Sequence, residues 1–198
     1  MGDKGTDVRP EFKFKIIFLG DVDVGKTSLI LRFSQDRFEE KTDMLGDLDD
    51  ESRILEADGR TCKMILTDTG GREGFSTLTS SYYRNADAIV LVYDITREDT
   101  YEHVMDHFKE ADRYSPHSQK FLVGNKSDLE EERKIDQEKC KVMAENLGVQ
   151  SFETSAKDDQ GVGDMFVDIA TRLAVEAGAQ LPPELPASKK GKKGCILC

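Results

Sequence analysis

Short apolar runs alternate with amphipathic stretches along this chain. FKFKIIFLG (12–20) is an apolar run stopped by glycine, which predicts a strand entering a Gly-rich loop. KTSLILRF then spaces Leu29, Ile30 and Phe33 as one face of a helix. The range 39–52, EEKTDMLGDLDDES, is polar and acidic and reads as a loop. RILEADGRTCKMILTD reads as two strands around an Asp-Gly turn at Asp58 and Gly59. The Gly-rich stretch TGGREGFSTLTSSYY follows and reads as mobile. ADAIVLVYDI is apolar almost throughout, as a parallel strand covered on both faces requires. REDTYEHVMDHFKEADRY predicts one helix with a polar face, KFLVGN a strand, and DQEKCKVMAENLG a helix closed by Gly148. SFETSA predicts a short strand and GVGDMFVDIATRLAVEAG a last helix.

Strands alternating with helices imply an α/β fold, a parallel sheet with helices on both faces. Such sheets bind ligands at the carboxyl ends of their strands. The loops after Leu19, Leu66, Tyr93, Val123 and Phe152 should share that edge. The expected organisation is a flexible segment 1–11, one domain over 12–177, and a flexible tail 178–198 with three prolines and no periodicity.

At 198 residues the chain suits a single core. Lys and Arg number 28 against 39 Asp and Glu, a net charge of −11, which argues against nucleic acid as a partner. From Gly178 onward four lysines face one acid, Glu184, so the tail carries +3 and the rest −14. Four cysteines without a framework spacing, no leader-like apolar segment and no run of transmembrane length predict a cytosolic protein with reduced thiols.

The chemistry concentrates in four motifs. GDVDVGKTSL (20–29) has the Gly-x-x-x-x-Gly-Lys-Thr frame of a phosphate cradle between a strand and a helix. Its backbone N–H groups, from Asp23 through Val24, Gly25, Lys26, Thr27 and Ser28, are expected to form an anion nest. Lys26 would reach the β- and γ-phosphates, and the Thr27 hydroxyl would bind Mg²⁺. In DTGG (68–71), Asp68 is placed to hold Mg²⁺ through water and the Gly70 or Gly71 N–H to meet a γ-phosphate. In VGNKSD (123–128), the Asp128 carboxylate can accept from the N1–H and amine of guanine, a donor pair adenine lacks. Asn125 would brace the loops, and the Lys126 stem would cover one face of the base. ETSAK (153–157) adds Ser155, the Ala156 N–H aimed at guanine O6, and Lys157 packing nearby. An ATP-using enzyme is disfavoured by NKSD. His103 and His107 have a spacing a metal could use, but no further ligand is evident, and a solvated helix face is the simpler reading.

On these residues, and on GKTSLILRF, TLTSSYYRNADAIVLVYDIT and LVGNKSDL, the range from about Phe12 to Ala177 resembles the Ras superfamily and within it the Rab family. The resemblance implies the P-loop small GTPase fold, a mostly parallel six-stranded sheet. It implies a monomeric guanine-nucleotide switch using GTP, GDP and Mg²⁺ in membrane traffic. Exchange factors, escort or GDI-type proteins and effectors would be its partners. It also suggests Phe38 as an aromatic edge-on to the base. The expected location is the cytoplasmic face of an intracellular membrane, with a cytosolic pool.

The departures carry as much information as the matches. The Mg²⁺-binding threonine of the family's first switch falls on Leu45, or on Met44 with one gap; Thr42 is the nearest hydroxyl. The water-orienting glutamine of the second switch is Arg72, whose guanidinium has no acceptor for a water proton. No catalytic residue is assigned. Val22 stands where the family holds a small residue beside the γ-phosphate. The family's aromatic triad falls on Asp50, Thr67 and Tyr82. Asp21 is ordinary for the family, whereas Asp23 is not: a charge ~8 Å from a phosphate at an effective dielectric of ~20 costs roughly 2 kcal/mol, less if solvent screens it. Leu45, Arg72 and Val22 each predict slow hydrolysis, and a non-cycling adaptor of the same fold stays open as an alternative. The end, GKKGCILC, resembles a prenylation box with Cys195 as acceptor and Cys198 as a second candidate. Lys189, Lys190, Lys192 and Lys193 would add attraction to an anionic leaflet.

Overall fold

The computed structural model describes residues 9–39, 50–69 and 82–180. Alternation along the first strand shows how the sequence builds two cores. In β1 (Phe12–Leu19), Phe14, Ile16 and Phe18 point to one face of the sheet, and Ile17 and Leu19 to the other. Six strands lie in one sheet in the order β2-β3-β1-β4-β5-β6. The others are β2 (Glu51–Ala57), β3 (Arg60–Asp68), β4 (Ala88–Asp94), β5 (Gln119–Asn125) and β6 (Gln150–Thr154). Only the β2–β3 pair, joined at the Asp58–Gly59 turn, is antiparallel; the remaining ladders are parallel.

On one face, α1 (Lys26–Gln35) and α5 (Val162–Gln180) cover β1, β3 and β4. Phe166 of α5 stacks on Phe33 of α1 at 3.7 Å between ring centroids and lies 6.0 Å from the Phe18 ring of the sheet. The other face buries Ile89, Leu91, Tyr93 and Leu122 under α3 (Val104–Tyr114) and α4 (Gln137–Leu147). The Asp136 carboxylate caps α4 by accepting from the Lys139 N–H at 2.7 Å. β4 is buried on both faces throughout, as its unbroken apolar run predicts, and β5 is buried from Phe121 to Asn125. α5 continues to Gln180, three residues past the expected domain end at Ala177. Among the described residues no helix is long and apolar enough to cross a membrane.

One predicted element divides. The stretch read as a single helix from Arg97 to Tyr114 is two, α2 (Glu98–Glu102) and α3, with a turn at His103. The periodicity runs on through the break, so apolar spacing alone does not reveal it.

The parallel register brings Asp68, Asp94, Asn125 and Thr154 to a single edge beyond Leu19, where the motif loops begin. Phe166 is fully buried at the centre of the α1–α5 layer. Phe166→Ala should therefore cost about 3–5 kcal/mol, read as a lower urea midpoint at unchanged slope.

Candidate functional site

The loop between β1 and α1 can close only around glycine. Gly25 has φ 95° and serves as the N-cap of α1; a Cβ there would lie 2.2 Å from Asn125 Nδ2. At Gly20 a Cβ would lie 2.1 Å from the Val92 carbonyl oxygen of β4. The loop thus lies flat on the sheet edge, with its N–H groups gathered at the start of a ten-residue helix. Lys26 is buried, and its ammonium donates to the carbonyls of Gly20 and of Asp21, the latter at 2.8 Å. The Thr27 hydroxyl donates to the Asp68 carboxylate, so the two expected Mg²⁺ ligands meet between the start of α1 and the end of β3. A hydroxyl beside a carboxylate at the mouth of an anion nest suits a hard divalent cation. Among the described residues no cluster of three His, Cys, Asp or Glu side chains forms a separate metal site.

Asn125 ties this loop to the next two. Its Nδ2 donates to the Val24 carbonyl at 2.9 Å, and its Oδ1 accepts from the Thr154 hydroxyl and the Ala156 N–H, both at 3.3 Å. The Ser155 hydroxyl donates to Asp128 Oδ1 at 2.6 Å and accepts the Asp158 N–H at 3.0 Å, which fixes the plane of the Asp128 carboxylate. Lys126, at φ 68°, places its ammonium 2.6 Å from Asp94 Oδ2. An anchored ammonium holds the four-carbon stem as a stiff apolar strip beside Asp128. Phe38 is half-buried and packs against the core on the α1–α5 side. Ser28 lies in the first turn of α1, and Lys157 is exposed. Gly71, Arg72, Thr42, Met44, Leu45, Cys195, Cys198 and the tail lysines lie outside the described residues.

Three contributors escaped sequence reasoning. Asp94 is 1% exposed, and its second oxygen accepts the Thr96 N–H and hydroxyl at 2.8 and 2.7 Å. Its place at the end of an apolar run was the available signal, since a carboxylate there must be paired. Arg32 of α1 donates to the carbonyls of Ala156 and Lys157 at 2.8 and 3.0 Å, holding the base loop from below. Nothing in the local sequence around Arg32 announces a contact 124 residues away.

The third is Asp21. His103 Nδ1 lies 2.6 Å from Asp21 Oδ2, and His107 Nε2 lies 2.9 Å from Oδ1. His103 is 55% exposed, as a solvated helix face implies, and His107 is 12% exposed; both also bond to the loop between β1 and α1. Burial alone would raise the pKa of Asp21, but the hydrogen bonds from His103 and His107, with their charges, outweigh it and hold the carboxyl below its ordinary 3.8. Asp21 in turn pushes His103 above its ordinary 6.5, chiefly through the hydrogen bond. Asp23 is exposed at φ 65°, so water screens the charge that the sequence marks as costly. Val22 is 46% exposed at the rim, and its carbonyl accepts from Arg97 at 3.1 Å. Of the three triad positions, Thr67 donates to Asp50 at 2.7 Å, and both line one cleft with Lys15 and Tyr82.

Asn125→Ala would leave the Val24 carbonyl, the Thr154 hydroxyl and the Ala156 N–H without this buried partner. The expected cost is about 3 kcal/mol, seen as a melting temperature lower by roughly 6–12 °C.

Comparison with known proteins agrees with this geometry. The Ras family model matches residues 15–175. The chain is 42% identical over 171 residues to "Ras-related protein RABD2a" of Arabidopsis thaliana, covering 86% of this chain and 84% of the relative. It is 40% identical over 187 residues to "Ras-related protein Rab-1D" of Dictyostelium discoideum, covering 92% of each. "Ras-related protein RIC1" of Oryza sativa subsp. japonica is 40% identical over 180 residues, 90% of this chain and 88% of the relative. With a six-stranded, mostly parallel sheet and all the described motif loops on its carboxyl edge, the chain belongs to the Ras family of small GTPases, in its Rab branch.

Proposed function

We propose that this chain is a Rab-type guanine-nucleotide switch that acts in vesicle traffic and hydrolyses GTP slowly. The observation that carries the nucleotide reading is the Asn125 fastening, which sets a phosphate cradle and an oriented Asp128 carboxylate side by side. Asp128 would accept from the guanine N1–H and amine, the Ala156 N–H would donate to O6, and the anchored Lys126 stem would cover the base. Asp23 to Ser28 would wrap the phosphates, with Lys26 turning from its own loop carbonyls to the phosphate oxygens. Phe38 would stand edge-on to the base, and Gly71 would meet the γ-phosphate. Thr27 and Asp68 would hold Mg²⁺, which when bound neutralises charge on the β- and γ-oxygens.

The slow-turnover reading rests on sequence. A glutamine carbonyl can orient an attacking water, and the Arg72 side chain offers only donors. Leu45 cannot coordinate a cation. Val22 adds bulk at the rim of the loop. The membrane reading rests on Cys195, with Cys198 as a second acceptor, and on Lys189, Lys190, Lys192 and Lys193: one lipid plus a basic patch is a two-signal anchor. Escort proteins, an exchange factor and effectors follow by likeness to Rab relatives. The polar pair at Asp50 and Thr67 points to effectors that differ from those reading an aromatic triad.

Fluorescent GDP and GTP analogues, titrated with and without Mg²⁺, test the reading. Tight, Mg²⁺-dependent binding of both is expected, and Asp128→Ala should weaken it about a hundredfold by removing a charge-assisted pair of bonds. Single-turnover hydrolysis should fall below ~10⁻⁴ s⁻¹, the intrinsic level of such switches. A rate at or above that level would refute slow turnover. Binding blind to Mg²⁺ and to the γ-phosphate would favour the non-cycling adaptor.

A further inference from the structure

The second residue of the phosphate loop is an acid, and the fold spends two histidines on it. Asp21 is 20% exposed and grips one imidazole with each oxygen, at 2.6 and 2.9 Å. An ionised carboxylate only accepts, so His103 Nδ1 and His107 Nε2 must each carry a proton. The two imidazoles come from the junction of α2 and α3 and from α3 itself. That junction is where the predicted single helix breaks. One helix pair is therefore fastened to the loop that cradles phosphate.

We propose that His103 and His107 are positioning residues for the phosphate loop, both bonded to Asp21, and that the charge on protonated His103 cancels that of Asp21, so that affinity for guanine nucleotide is higher at acid pH than at alkaline pH. The inference rests on the nucleotide reading above.

Among the described residues, charges around the clamp come from three places. From the loop come Asp23, exposed, and the Lys26 ammonium on the Asp21 carbonyl. From the turn after β4 come Asp94, buried against Lys126, and Arg97, which donates to Val22 and pairs with Asp99 at 2.7 Å. From α3 comes Asp106, which with Asp99 adds weakly to the attraction on His103. Among the described residues, no other carboxylate contacts either imidazole as Asp21 does. With His103 neutral, the Asp21 charge on the loop is uncompensated by it. With His103 protonated, the local charge changes by one unit. At a separation of about 10 Å and an effective dielectric of about 20, each unit is worth roughly tenfold in affinity before screening.

The sign follows from the two shifts. His103 titrates above its ordinary 6.5, so its bond to Asp21 contributes fully below about that pH and is lost as pH rises through the raised value. Asp21 titrates below its ordinary 3.8, so the contribution is lost at the acid end only as pH falls through that lowered value. Between those limits the His103–Asp21 pair carries both charges, and on the alkaline side the imidazole keeps its N–H donor but loses its charge.

The experiment compares the full-length chain with a His103→Gln/His107→Gln variant. Glutamine keeps a donor of similar reach but cannot charge. Affinity for a fluorescent GDP analogue at saturating Mg²⁺ is measured from about pH 6 to about pH 8.5, a span that brackets imidazole titration. Taking the ratio of the two proteins cancels the titration of the nucleotide itself. The two should bind alike at the alkaline end, and the native chain about tenfold more tightly at the acid end. NMR titration of the imidazoles gives a second reading that needs no nucleotide: in Asp21→Asn, the His103 midpoint should fall towards its ordinary value. A ratio constant across the range, or a His103 midpoint unmoved by Asp21→Asn, would overturn the proposal. If neither protein binds nucleotide at any pH, the nucleotide reading fails and takes the affinity effect with it, while the NMR midpoint still reports whether the clamp itself forms.

Discussion

One side-chain amide fastens the functional edge of this protein. Asn125 ends β5 at 2% exposure, donates into the phosphate loop and accepts from the loop after β6. The ladders on either side fix where that amide stands, because β5 pairs in parallel with both β4 and β6. The α1 helix starts from the loop that Asn125 holds, and Arg32 returns from α1 to the base loop. The three loops thus form a closed circuit of hydrogen bonds across a rigid sheet. Side chains placed on such a circuit are oriented before any ligand arrives, which lowers the entropic cost of ordering them.

The circuit also resolves an electrostatic problem. An acidic chain must keep its carboxylates from spoiling an anion site. Four acids near this edge are dealt with differently. Asp21 is covered by two imidazoles, Asp94 is buried against Lys126, Asp128 is turned by Ser155, and Asp23 is left in solvent where its field is screened. The identity of the compensating group matters. An imidazole can lose its charge near neutral pH. The compensation of Asp21 therefore responds to pH through His103.

The fold was legible because its signals are local. Apolar runs of strand length, a glycine after β1 and an Asp-Gly turn mark elements without reference to the rest of the chain. The Gly-Lys-Thr, Asn-Lys-Ser-Asp and Ser-Ala-Lys segments could likewise be placed on loops, because each adjoins a strand end. What stayed hidden depends on partners far away in sequence. The break at His103 accompanies a contact with Asp21, 82 residues earlier, and the hold of Arg32 on Ala156 spans 124. Chain position shows that Asp21 and Asp23 are carboxylates but not that Asp21 faces two imidazoles and Asp23 faces solvent. Leu45 and Arg72, which carry the hydrolysis argument, lie outside the described residues, so their part of the reading remains one of sequence.

The close approach of Gly25 to Asn125 has a consequence for how this protein can change. Any side chain at position 25 would occupy the space of the Asn125 amide, while shortening residue 125 to make room would release the loop that needs residue 25 to be small. Neither position can be altered first without loss. The two form a mutational lock: drift elsewhere on the surface can redesign partners and turnover, but paths that dismantle the cradle one residue at a time pass through a poorly folded intermediate. A chain that had given up hydrolysis altogether would still be held to this pair by its own stability.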